Sequence, residues 1–320
     1  MHSYKKTNTF NPQMNDIKDF ESFYSARIEP FLARLNAQSN DASKWSTAGI
    51  ASVLLAVVCF FMDAPLVAFL LLMFTGFTVH KYSAKKNVLR NNFKTSVINE
   101  IVSYLNPGAV YSPSKRMSTN DYKTSGLFNH VYNYIFGEDH ITGIYKGVKF
   151  YSSELQTSYN AKGTNGRSVN IFEGLFFAAP LNEIFTKATY VWPSEDNQLS
   201  LSLADEYFER YMALPKVYRI NSDHAAFNKN FVAYTTSPSE ARSILDDEMI
   251  ERIVRFKTQI KRDVRFSFVS GICYVAIEID ENLLEPSVAD PGNKENIKEY
   301  FFSVLLILSI INQLNLPRFR

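Results

Sequence analysis

Two stretches, residues 46–62 and 66–79, contain no Asp, Glu, Lys, Arg or His, and Asp63-Ala64-Pro65 separates them. At 1.5 Å per residue, 45–62 spans about 27 Å and 64–82 about 28 Å as helices, each close to the roughly 30 Å thickness of a bilayer core. One continuous helix over 45–82 would run about 57 Å and hold Asp63 and Pro65 in its interior. The pattern therefore predicts a helical hairpin that crosses a membrane twice and turns at Asp63 and Pro65. Trp45 and Tyr82 mark its open end, where amphipathic rings favour headgroup depth. Lys81, Lys85, Lys86 and Arg90 follow the second run, Lys44 precedes the first, and the turn carries no positive charge. By the positive-inside rule both termini and the main domain face the cytoplasm, and these residues with Trp45 and Tyr82 form the expected membrane interface. No ionisable carboxylate, amine or imidazole lies within either run, so the hairpin reads as an anchor rather than an ion path. Gly49, Ala51, Ser52, Ala56 and Gly76 are candidates for close helix contact.

Outside the hairpin the periodicity changes twice. Ile17, Phe20, Phe23, Tyr24, Ile28, Phe31, Leu32 and Leu35 recur at helical steps, with Pro30 expected to kink or interrupt the stripe. Val88, Leu89, Phe93, Val97, Ile98, Ile101, Val102 and Leu105 predict that the second spanning helix continues as a stalk to the Asn106-Pro107-Gly108 stop. Residues 111–125 read as a linker. From 132 onward, aromatic and β-branched runs predict strands at 141–145, 148–151, 155–159, 169–179, 188–192, 217–220, 231–235, 264–269 and 272–279. Ser237-Pro238-Ser239-Glu240 has the form of a helix-capping box, and Asp246 can cap a second helix. The run 300–311, about 18 Å as a helix, is too short to span and predicts a C-terminal core helix over one face of the sheet. The expected class is α+β, mostly antiparallel, in four parts: 1–44 an N-terminal cytosolic amphipathic helix, 45–82 the hairpin, 83–125 stalk and linker, 126–320 the cytosolic domain.

Composition narrows the function classes. In 320 residues, 34 Lys+Arg face 32 Asp+Glu, a net charge of +2, so no nucleic-acid partner is expected. Low-complexity and collagen-like readings are excluded by 46% hydrophobic content with only 12 Gly and 12 Pro. Two cysteines, Cys59 and Cys273, make no disulfide framework and fit a reducing, cytosol-facing location.

Candidate chemistry is sparse. Glu138, Asp139 and His140, with His130 upstream, form the densest set of metal-ligand types, but neighbours on a strand alternate sides, and solvated charges at a strand entry are the expected case. The loop at 163–168 resembles a phosphate loop only in composition. Arg242, Arg252, Arg255, Lys257, Lys261, Arg262 and Arg265 interleave with acids as on a solvated helix face. No catalytic set, cofactor site or metal site is assigned.

Ser125-Gly126-Leu127-Phe128, Gly137-Glu138-Asp139 with Gly143, Phe150 with Ser153-Glu154-Leu155, Phe172-Glu173-Gly174-Leu175-Phe176-Phe177, and Asn230-Phe231-Val232-Ala233-Tyr234 before Glu240-Ala241-Arg242 follow one another in an order that resembles the bacterial membrane-anchored family catalogued as domain of unknown function 3137. The resemblance covers about residues 15–316 and implies no established activity. It implies a bacterial inner-membrane location and, because such proteins are often encoded beside LemA-type membrane proteins, a partner of that kind. The expectation is a multi-pass inner-membrane protein, more readily non-enzymatic than enzymatic, whose cytosolic domain binds a protein or lipid. Two alternatives stay open: an enzyme whose site gathers distant residues such as Glu138, Asp139 and Glu154, and a structural homo-oligomer joined through the stalk.

Overall fold

The computed structural model describes residues 14–128, 132–160, 168–181, 185–194, 217–286 and 290–319. The chain divides into two compact units. Among the described residues, one comprises 14–104 together with Leu284–Phe301, the other Leu105–Leu283 with 302–319.

The first unit is helical. α1 (Met14–Phe23) passes through a π-helical turn, Tyr24–Ile28, directly into α2 (Glu29–Phe61). The expected break at Pro30 is absent. Pro30 lies at the start of α2, immediately after the π turn, so the hydrogen-bond irregularity that a proline imposes is absorbed without ending the helix. α3 (Pro65–Phe93) continues through a second π turn, Lys94–Ile98, into α4 (Asn99–Leu105). The core away from the hairpin turn is aromatic: Phe20, Phe23 and Tyr104 surround Phe301, while Phe93 meets Tyr300 edge-on at 5.6 Å. Val97, Ile98 and Ile101 are fully buried beside them, which accounts for the apolar stripe of the stalk.

The second unit is one antiparallel sheet of nine described strands in the order β1-β2-β3-β4-β9-β8-β5-β7-β6. The strands are β1 (Val110–Ser112), β2 (Tyr134–Tyr145), β3 (Val148–Asn160), β4 (Ser168–Pro180), β5 (Thr189–Pro193), β6 (Tyr218–Ile220), β7 (Phe231–Thr235), β8 (Val264–Val269) and β9 (Ile272–Glu278). Two expected strands at 148–151 and 155–159 are one, β3, whose Ser152 and Ser153 are buried rather than breaking it. The expected linker contains β1 and a capped helix, α5 (Thr119–Ser125), whose Ser118 side chain accepts from the Asp121 amide. Lys146-Gly147 and Ser270-Gly271 both sit at positive φ, the two-residue turn that right-twisted hairpins favour. Phe176 and Ala178 of β4 enter a core with Tyr122, Leu155 and Tyr274, while Leu175 and Phe177 on the other face are buried too, so both faces of the sheet are covered. α6 (Ala225–Asn230), α7 (Pro238–Ile244) and α8 (Asp247–Ile260) accompany the sheet, the last two capped by Ser237 and Asp246 as their sequences predict. α9 (Lys294–Gln313) carries the apolar run 300–311 and starts at Lys294, within the segment 293–296 whose sequence can open a helix. Its first two turns belong to the helical unit and the remainder to the sheet unit, and every residue from Tyr300 to Leu308 except Leu305 is buried.

Candidate membrane-embedded hairpin

The connection between α2 and α3 is tight. Asp63 takes the left-handed conformation at φ 56°, which Asp tolerates better than bulky residues, and Ala64 donates to the Cys59 carbonyl at 2.9 Å. Pro65 opens α3, where its missing N–H costs nothing. Both helices meet the length and hydropathy needed to cross a bilayer, over Arg34–Phe61 and Pro65–Leu105.

The hairpin is inside out relative to a soluble pair. Leu54 (64% exposed), Phe61 (81%), Leu66 (75%) and Phe69 (61%) face outward, as do most large apolar residues from Ile50 to Val79. The polar groups face the other helix. Ser52 and Thr75 share a hydrogen bond of 2.8 Å, Ser52 also donates to the Gly49 carbonyl, and Thr78 is fully buried against Gly49. A Cβ at Gly49 would lie 2.8 Å from Thr78 Oγ1, so the helices approach there because the side chain is absent. Ala56 and Ala68 are also buried. Of the small residues singled out from the sequence, Ala51 faces outward and Gly76 has open space where its Cβ would be.

At the open end, Trp45 and Phe77 meet edge-on at 5.8 Å and Lys81 Nζ lies 5.4 Å from the Phe77 ring centre. Beyond them Lys85 binds Asp41 at 2.8 Å, and this hydrogen-bonded ammonium holds the Asp41 carboxyl below its ordinary range. Arg90 donates through Nε to Glu285 at 2.7 Å, with Lys94 Nζ 3.5 Å from the same oxygen and its side chain only 2% exposed. Arg90 thus lies in an internal ion cluster. Glu285 escaped sequence reasoning because it is 195 positions away and carries no periodic signal.

The second place where charge gathers is β2. Glu138 stands opposite Glu154 on β3, and the register shifts between Glu138 and Ile141. Asp139, in that irregularity at φ 58°, is buried and accepts from the Tyr111 hydroxyl at 2.5 Å. Burial, followed by the Asp139 charge, pushes the Tyr111 hydroxyl well above its ordinary range. Glu154 accepts from the Leu283 amide at 3.1 Å. His140 Nδ1 lies 2.9 Å from Ser153 Oγ, a buried atom that also accepts from the Met117 amide. The expected solvated turn is therefore a buried polar network joining β1, β2, β3 and the segment before α5. Among the described residues no group of three His, Cys, Asp or Glu could hold a metal ion. His130 and the loop 163–167 lie outside the described residues. In the basic stretch, Arg252 pairs with Glu248 and Lys257 with Asp263 at 2.6 Å, and Arg265 pairs with Glu278.

Residues 170–316 match the family model described as "Protein of unknown function (DUF3137)", which supports over that stretch the family resemblance seen in the sequence. No curated protein matches. A solved structure described as the crystal structure of the mycobacterial trehalose monomycolate transport factor A, TtfA, is similar at 9% identity and TM-score 0.37, covering 68% of this chain and 94% of that one. A likeness that low carries no argument about function here.

Proposed function

We propose that this chain, which over residues 170–316 matches the domain of unknown function 3137 family, is a bacterial inner-membrane protein without enzymatic activity, anchored by the hairpin. Its α+β unit binds a protein or lipid partner. Both spans cross the bilayer, and both termini and the α+β unit lie in the cytoplasm. One observation carries the reading: the hairpin presents its apolar side chains outward and turns Ser52, Thr75 and Thr78 inward, an arrangement that suits a hydrocarbon solvent and is unfavourable in water. The charge asymmetry supports the orientation, since lysines cluster at the open end and none occurs at the turn. The division 1–44, 45–82, 83–125 and 126–320 is retained as the functional one, with 45–82 in the lipid. The resemblance makes a LemA-type membrane protein the first partner to test, and a second copy of the chain the next.

Fractionation with alkaline carbonate and a reporter fused after residue 320 test the anchor and its orientation. The expected result is retention in the membrane pellet with a reporter active only in the cytoplasm. Release by carbonate, or a reporter active only outside, would overturn the proposal. Crosslinking in native membranes then identifies the partner.

A further inference from the structure

The basic residues at the open end do not form one uniform patch. Lys85 is committed to Asp41, and Arg90 and Lys94 converge on Glu285. That leaves Lys44 on α2 and Lys81 and Lys86 on α3, none of them in an ion pair with a carboxylate among the described residues, with Lys44 and Lys86 exposed. Asp41, Asp63 and Glu100 are the only acids between residues 41 and 100, and Lys85 already occupies the one at this end. Lys44 adds only a lesser pull on that carboxyl.

The contacts Gly49 to Thr78, Ser52 to Thr75 and Asp41 to Lys85 fix the antiparallel alignment of the two helices. It places Lys44 beside Tyr82, at the same depth as Trp45 and Lys81, with Lys86 about 6 Å further along the axis. Lys81 holds its ammonium over the Phe77 ring, 5.4 Å from the ring centre, beside the Trp45 ring that meets Phe77 edge-on. In a bilayer crossed by residues 45–82, this end of the hairpin lies at headgroup depth, the level that Trp and Tyr rings favour.

Resting on the membrane-anchor reading, we propose that Lys44, Lys81 and Lys86 form a selective contact surface for anionic phospholipid headgroups of the leaflet at the open end, whereas Lys85 and Arg90 are internal ties that lipid does not compete for. The occupant is an anionic headgroup rather than a protein, because the uncommitted charges are all positive and Lys81 adjoins the outward-facing Phe77 ring.

The test uses the full chain in mild detergent, exchanged into mixed micelles with equal phosphatidylglycerol and phosphatidylcholine, with co-purifying lipid quantified by mass spectrometry. A lysine near an anionic surface is worth about fivefold in affinity, so the wild-type chain is expected to enrich phosphatidylglycerol about fivefold or more. The triple variant Lys44→Gln, Lys81→Gln, Lys86→Gln should fall to no enrichment. The double variant Lys85→Gln, Arg90→Gln should keep the wild-type enrichment while unfolding at lower temperature. Equal loss in both variants, or no enrichment in the wild type, would overturn the assignment. Displacement of phosphatidylglycerol by inorganic phosphate at millimolar concentration would also overturn it, by pointing to a free-phosphate site. A chain that needs no detergent at all would instead defeat the anchor, a result the same preparation reveals separately.

Discussion

Single positions show how closely the sheet unit is fitted. Gly174 on β4 has φ 149°, a region side chains avoid, and a Cβ there would lie 2.1 Å from the Ile277 carbonyl oxygen on the neighbouring β9. Gly174→Ala should cost about 3 kcal/mol or more, since neither backbone can yield without losing ladder hydrogen bonds. Chemical denaturation checks it, and an unchanged midpoint would refute the account. His140 makes a different prediction. Burial holds its pKa below 6.5, so the unfolded chain takes up a proton first as pH falls. Its contribution to stability is therefore fully present above about pH 6.5 and declines as pH drops from there toward the lower folded value. Thermal unfolding of the wild type and of His140→Gln at pH 7.5 and 5.5 should show a smaller drop for the variant. An equal drop in both would assign the pH dependence to other groups.

At the scale of elements, what could be read in advance divides by the range of the signal. The hairpin, the Ser237 and Asp246 caps and the Ser270-Gly271 turn were legible because each is decided by neighbours in sequence. The continuity of α1 into α2 was not, because a π turn can absorb Pro30 and leaves no compositional trace. Nor was the single long β3, since Ser152 and Ser153 look like a break until cross-strand partners bury them. The ion cluster on α3 depends on residues nearly two hundred apart, and it yields a prediction at this scale. Glu285→Gln removes the carboxylate that faces both Arg90 and the buried Lys94. Because Glu285 is itself partly solvated, the cost should be about 1–3 kcal/mol, below that of a fully buried pair. Unfolding in detergent checks it, and a midpoint equal to that of the wild type would refute the account.

For the whole molecule, the outward apolar surface is concentrated in one segment. The outward apolar side chains concentrate between Ile50 and Val79, whereas the aromatic core formed by Phe20, Phe23, Phe93, Tyr300 and Phe301 is closed to solvent and lies outside that stretch. Replacing residues 50–79 with a short polar linker should therefore yield a chain that stays in solution without detergent, keeps its helical and strand circular dichroism, and unfolds cooperatively. Leu35, Leu89 and Val97 would still be buried between the remaining helices, and the Asp41 to Lys85 pair would still bracket the linker. Removing residues 1–104 instead should fail, because Ile297, Tyr300 and Phe301 of α9 are at most 1% exposed in the helical unit and would lose their cover. The two deletions separate the hairpin as anchor from the stalk as scaffold: solubility is expected for the first and aggregation for the second. If the linker variant still needed detergent, a second lipid-facing surface would have to be sought in the sheet unit, where Phe136 and Ile144 of β2 are the most exposed large apolar side chains among the described residues.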